Sequence, residues 1–156
     1  MNTYRIVVGV DGSDGGDRAL RWAAQEAAKR GGTVQAVIAW TWDGIEGAVV
    51  AKTHPGEEQA RAEQALSRSV IAATTAFPTV ITAGEAIEGA PAKVLTGAAA
   101  GADLLVLGSH GHGRLFHVVL GSVAEECIRV ATCPVVVVPV ARPAVEPTDA
   151  GVVPVS

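Results

Sequence analysis

The sequence predicts an open, doubly wound α/β fold, a parallel sheet with helices on both faces. Three observations lead there. Short β-branched apolar runs alternate with segments of helical period from one end to the other. The runs, among them RIVVGV at 5–10 and VVVV at 135–138, are apolar at successive positions, as strands covered on both faces require. The order strand, helix, strand recurs four times, which implies parallel strands joined by crossover helices.

Each element follows from its own residues. Arg5 to Val10 is short, β-branched and closed by the turn residues Asp11-Gly12-Ser13, hence a buried strand. Asp14 to Arg30 sets Leu20, Ala23, Ala24 and Ala27 on one helical face and stops at Gly31-Gly32. Thr33 to Trp40 is the second strand, and residues 41–55 read as irregular. A long helix from Gly56 to about Phe77 places Leu66, Val70, Ala73 and Phe77 on one side. Thr79 to Ile87 is the third strand, and Pro91 to Ala100 is a helix with proline in its first turn. Asp103 to Leu107 is the fourth strand, VAEECIRVAT at 123–132 a helix, and Val135 to Val138 the fifth strand. Residues 1–140 read as one domain, and residues 141–156, rich in Pro and Ala and without period, as a disordered tail.

Composition excludes several classes. At 156 residues, 49% of them hydrophobic, the chain suits one folded domain with an adequate core. A net charge of −4 without a basic cluster argues against nucleic acid as a partner. The apolar run near the N-terminus is too short for a signal peptide, and no run reaches transmembrane length, so no membrane partner is expected. Two cysteines make no disulfide framework, and a reduced, cytoplasmic setting is the expectation.

The stretch GSHGHGRLFHVVLGS at 108–122 carries four glycines between a strand and a helix. Glycines expose backbone N–H groups and let an anion approach the chain; a following helix adds its positive end. The stretch is not a Walker P-loop, because it holds no lysine, and the first strand–helix turn lacks GxGxxG. A second reading is purely structural: Ser122 with Glu125 forms S-x-x-E, a capping box that satisfies the helix end without a ligand. On these residues alone both readings stand. In an open parallel sheet ligands bind at the carboxyl ends of strands where the order reverses, which points to this loop and to GVDGS at 9–13.

The spacing Gly108-x2-Gly111-x9-Gly121-Ser122 resembles the ATP-binding signature of the universal stress protein family. DLLVLGSHG before it, GSVAEECIRVATCPVVVV after it and VVGVDGS near the start are similar to the same family, over residues 4–140. The resemblance implies a Rossmann-like five-stranded sheet in the order 3-2-1-4-5, with the first and fourth strands adjacent at the switch point. It implies an ATP site with Gly9, Val10 and Asp11 under the nucleoside and Trp40 beside the adenine through its backbone. Leu107 and Gly108 would pass beneath the ribose, and Gly111, His112, Gly113 and Arg114 would wrap the phosphates. Gly121, Ser122 and Val123 would offer donors at the helix end, and the Asp11 carboxylate would stand near the ribose or a phosphate-bound Mg²⁺. Where some members carry a second basic residue, four positions before Ser122, this chain has Val118, which implies weaker phosphate binding. The family also implies a homodimer paired through the Val135–Val138 edge.

His110, His112 and His117 suggest a zinc site, but no carboxylate or cysteine of the loop completes a ligand set, and exposed loop histidines are the preferred reading. Cys127 reads as core, and Cys133 as partly exposed with no activating base. The resulting expectation is an ATP-binding, nucleotide-responsive regulatory protein of stress response, with no catalytic residue assigned. The alternatives are a slow nucleotide hydrolase or transferase, a binder of AMP or a cyclic nucleotide, and a structural dimer with an unused cradle.

Overall fold

The computed structural model describes residues 3–42, 45–46, 49–50, 54–109 and 120–140. Five parallel strands form one sheet: β1 (Arg5–Gly9), β2 (Thr33–Trp40), β3 (Thr82–Glu88), β4 (Leu104–Gly108) and β5 (Val135–Val138). Their order is β3-β2-β1-β4-β5. Ile6 of β1 stands between Val34 of β2 and Leu104 of β4, and Leu105 of β4 lies opposite Val135 of β5. The helices are α1 (Asp14–Arg30), α2 (Pro55–Ala76), α3 (Pro91–Ala98) and α4 (Ser122–Val130).

The period-two alternation of the strands divides the core. Ile6, Val8, Val34, Ala36 and Ile38 face α1 and α2, where Ala19, Leu20, Ala23, Leu66 and Ala73 close over them. Val7, Val37, Leu105 and Leu107 face the opposite way, against Ala92, Leu95, Ala124 and Cys127 of α3 and α4. From β1 the chain builds outward through α1, β2, α2 and β3 on one flank. It then returns through α3 to place β4 on the free side of β1. The order therefore reverses between β1 and β4, at their carboxyl ends.

Element ends depart from the sequence reading for local reasons. The third strand starts at Thr82 rather than Thr79, because residues 78–80 form a turn in which the Val80 N–H donates to Phe77 O at 3.1 Å. Within the stretch read as irregular, Ile45–Glu46 pairs antiparallel with Val49–Val50. The long helix begins at Pro55, with His54 as its cap: Nδ1 accepts from Gly56 N–H at 3.0 Å, and Glu57 Oε2 accepts from His54 N–H at 3.4 Å. Among the described residues no helix is long and apolar enough to cross a membrane. The tail at 141–156 lies outside the described residues.

Candidate functional site

A cavity of about 340 Å³ opens at the switch point, a volume within the range of small-molecule sites. Gly9 and Val10 at the end of β1, Asp11 and Ser13 beyond it, and Leu107, Gly108 and Ser109 at the end of β4 form its floor and one wall. Gly121, Ser122, Val123 and Ala124 at the start of α4 form another wall, with Pro91 and Leu95 of α3 and Ala39 of β2 nearby. One part is thus apolar, through Val10, Ala39, Pro91, Leu95 and Leu107, while the other presents backbone and hydroxyl groups.

Three helix N-termini border this space: that of α3 enters through Pro91 and has no side-chain cap, and those of α1 and α4 differ. At α1 the end is satisfied: Ser13 Oγ accepts from Gly16 N–H at 3.2 Å, and its hydroxyl donates to Asp11 Oδ1. Asp11 Oδ1 also accepts from Ser13 N–H at 2.9 Å, closing an Asx turn through Gly12, whose φ of 82° is a left-handed conformation that suits glycine. Asp14 and Asp17 add negative charge in the first turn. At α4 the cap position is Gly121, extended at φ −65° and ψ 159°, and among the described residues no side chain caps the end. The first intrahelical bond runs from Glu125 N–H to Gly121 O at 3.0 Å. The N–H groups of Ser122, Val123 and Ala124 therefore have no acceptor within the helix. The capping box read from S-x-x-E is not formed, because Gly121 occupies the cap and Ser122 is already the first helical residue. An anion is favoured at α4 and repelled at α1.

Gly108 shows how closely the chain is packed here. A Cβ at that position would lie 2.7 Å from Gly15 O and 2.9 Å from Gly15 C, so β4 meets the first turn of α1 backbone to backbone. Ser69 Oγ of α2 donates to Asp17 Oδ1 at 2.7 Å and ties α2 to that same turn.

Of the residues singled out in the sequence, Gly9, Val10, Asp11, Leu107, Gly108, Gly121, Ser122 and Val123 all line the cavity. Trp40 does not. Strand alternation turns its indole toward the α1 and α2 core, and its carbonyl accepts from Gly89 N–H at 2.9 Å; Ala39, one residue earlier, faces the cavity instead. Gly111, His112, Gly113 and Arg114 lie outside the described residues, as do His110 and His117. Sequence reading assigned no role to Ser13 and Ser109, although both lie in the two loops it singled out, and it missed Gly16, Ala39, Pro91, Leu95 and Ala124. Pro91 had a visible signal in its place at a helix start; the other four carry none. Among the described residues no group of three or more His, Cys, Asp or Glu side chains is placed to hold a metal ion. Cys127 is fully buried, and burial, with the nearby Glu126 charge, raises its thiol pKa. Burial also raises that of the half-buried Cys133, so neither is an activated nucleophile.

A sequence model of the universal stress protein family matches residues 3–139. The chain belongs to that family. Among the relatives of this universal stress protein domain is the Mycobacterium tuberculosis universal stress protein Rv2005c, 31% identical over 132 residues. That match covers 85% of this chain and 44% of the relative, so the chain spans less than half the length of the curated relatives it matches. A universal stress protein crystallised in complex with cAMP is 27% identical, with a TM-score of 0.67, over 90% of this chain and 100% of that one. The Archaeoglobus fulgidus universal stress protein in complex with dAMP is also 27% identical, with a TM-score of 0.66, over 88% and 98% of the two chains. The UspA protein of Lactobacillus plantarum, 22% identical with a TM-score of 0.69 over 88% and 99%, shares the fold.

Proposed function

We propose that this protein binds an adenine nucleotide in the switch-point cavity, with ATP and its Mg²⁺ as the principal ligand, and acts as a nucleotide-responsive regulatory module. The observation that carries the reading is the uncapped α4 end at the polar side of a cavity whose other side is apolar. The base and ribose suit the Val10, Ala39 and Leu95 side, and phosphate oxygens suit the N–H groups of residues 122–124, which have no acceptor within the helix. The cAMP and dAMP complexes of the two structural relatives support the same ligand class. Asp11, held in orientation by Ser13, fits one contact to a nucleotide-borne Mg²⁺, which would neutralise phosphate charge. The loop residues Gly111, His112, Gly113 and Arg114 complete the phosphate contacts in this reading.

A specific observation favours a second reading, an AMP or cyclic nucleotide ligand. The described lining contains no Lys or Arg and does contain Asp11, which suits a ligand of lower charge than ATP. Mass spectrometry of the ligand retained on purification, followed by calorimetry with ATP, AMP and cAMP in the presence and absence of Mg²⁺, tests both. ATP affinity that needs Mg²⁺ supports the first reading, and cAMP affinity indifferent to Mg²⁺ and tighter than that of ATP supports the second. Failure of all three nucleotides to bind refutes both.

Binding rather than turnover is the proposed activity, because amide donors that stabilise bound phosphates equally in ground and transition states do not raise kcat. The proposed assembly is a homodimer through β5, whose bare apolar edge would otherwise invite aggregation.

A further inference from the structure

Pro139 follows the last residue of β5 and has no N–H, so the ladder between β4 and β5 cannot continue through it. Its final backbone bond runs from Ser109 N–H to Val138 O at 2.9 Å. The next available N–H, that of Val140, donates instead to the side chain of Ser109, reaching Oγ at 3.0 Å. One serine thus holds the end of the edge strand from both its backbone and its side chain. Ser109 is only 7% exposed and also lines the cavity. While its oxygen accepts from Val140, the hydroxyl keeps one proton of its own to donate.

We propose that Ser109 is a ligand-contacting residue that couples occupancy of the cavity to the order of the β5 end. The inference rests on the nucleotide reading above and adds what that reading lacks, a route from the ligand to the sheet edge. A ligand oxygen that accepts a hydrogen bond from the Ser109 hydroxyl polarises it and strengthens its acceptance from Val140 N–H, since linked hydrogen bonds reinforce one another. The exit of β5 is then held more firmly when the cavity is filled. By linkage, whatever orders residues 138–140 raises affinity for the ligand by the same factor. Because β5 is the sheet edge, a partner docking there would meet a firmer strand in the liganded protein.

The test is amide hydrogen exchange at Val140, with and without saturating ATP and Mg²⁺, cAMP or AMP, alongside calorimetry on the same protein. Thr33, whose N–H donates to Tyr4 O at the opposite end of the sheet, serves as the reference amide. The expected result is exchange at Val140 slowed several-fold by ligand beyond any change at Thr33. Ser109→Ala should bind the ligand about two- to tenfold more weakly, the worth of one hydrogen bond, and show no ligand-dependent slowing at Val140. Ser109→Thr, which restores the hydroxyl, should recover both. Binding with unchanged Val140 exchange in the wild type overturns this inference alone, and requires no variant to fold. Ser109→Ala that binds with wild-type affinity and gains full protection also overturns it. Absence of binding in calorimetry overturns the nucleotide reading and this inference together.

Discussion

Replacing Gly108 by alanine tests whether the switch point is built on backbone contact between β4 and α1. The added Cβ would stand 2.7 Å from Gly15 O and 2.9 Å from Gly15 C, both backbone atoms that cannot rotate away. Relief requires the first turn of α1 to shift by several tenths of an ångström, against the Ser13 cap and the Ser69–Asp17 bond. Overpacking of this kind costs about 1–3 kcal/mol, and the rigidity of the obstacle places Gly108→Ala in the upper half of that range. In a chain of this length each kcal/mol moves Tm by about 2–4 °C, so a fall of roughly 5–10 °C is expected. Gly97→Ala is the internal control. Nothing lies within 4 Å of a Cβ at that position of α3, and alanine there gains about 0.5–1 kcal/mol of helix stability. Urea unfolding followed by circular dichroism measures both, with the midpoint moving and the slope unchanged. Wild-type stability for Gly108→Ala, or a larger loss for Gly97→Ala, would falsify the packing argument.

Four further outcomes are expected. Gly121→Val keeps an extended cap that valine tolerates but sets a side chain at the α4 end; micromolar binding is worth about 8 kcal/mol, and losing a few removes measurable heat in calorimetry. Val136→Lys, at a half-buried position of the edge strand, shifts the protein toward monomer in light scattering, and a wild type already monomeric at micromolar concentration contradicts the β5 dimer. Asp11→Ala weakens ATP binding more than it alters phosphate release, which stays far below the common enzyme rate of about 10 per second; turnover of several per second, lost in Asp11→Ala while ATP still binds, would establish an enzyme instead. Burial raises the folded thiol pKa of Cys127, so its contribution to stability is complete below the ordinary thiol value of about 8.5 and is lost as pH rises toward the folded value. Urea midpoints between pH 7 and 10 should fall less steeply in Cys127→Ala than in the wild type, and equal slopes refute the assignment.

The sheet was legible because its central strands β1 and β4 are apolar on both faces and its helices carry one apolar stripe each, although β3, TAGEAIE, is largely exposed. Leu20, Ala23, Ala24 and Ala27 all prove buried, as do Leu66 and Ala73. The start of β3 was not legible, since Val80 is as apolar as a strand residue yet is buried within a turn. The cap of α2 was hidden for a chemical reason: histidine is an uncommon cap, although its Nδ1 accepts as a serine oxygen would. Trp40 was expected at the site through its backbone alone, and its indole packs toward the α1 and α2 core. Residues 39 and 40 face opposite sides of the sheet, and the cavity lies on only one of them.

The two ends that matter most could not be told apart by pattern. Ser13 and Ser122 both follow a glycine and precede a helical run, so each reads as a cap in the sequence. Asp11 decides the first case, because its carboxylate accepts from Ser13 and settles the turn with Ser13 outside the helix. In the described residues before Ser122 no acidic side chain does the same; Gly121 takes the cap, and the serine becomes the first residue of α4. The end that supplies its own acceptors has little to offer an anion. The other end, with N–H groups of residues 122–124 unclaimed by helix or cap, needs an acceptor from elsewhere. Since both ends face one cavity, their difference places the phosphate of the proposed ligand at α4 rather than at α1.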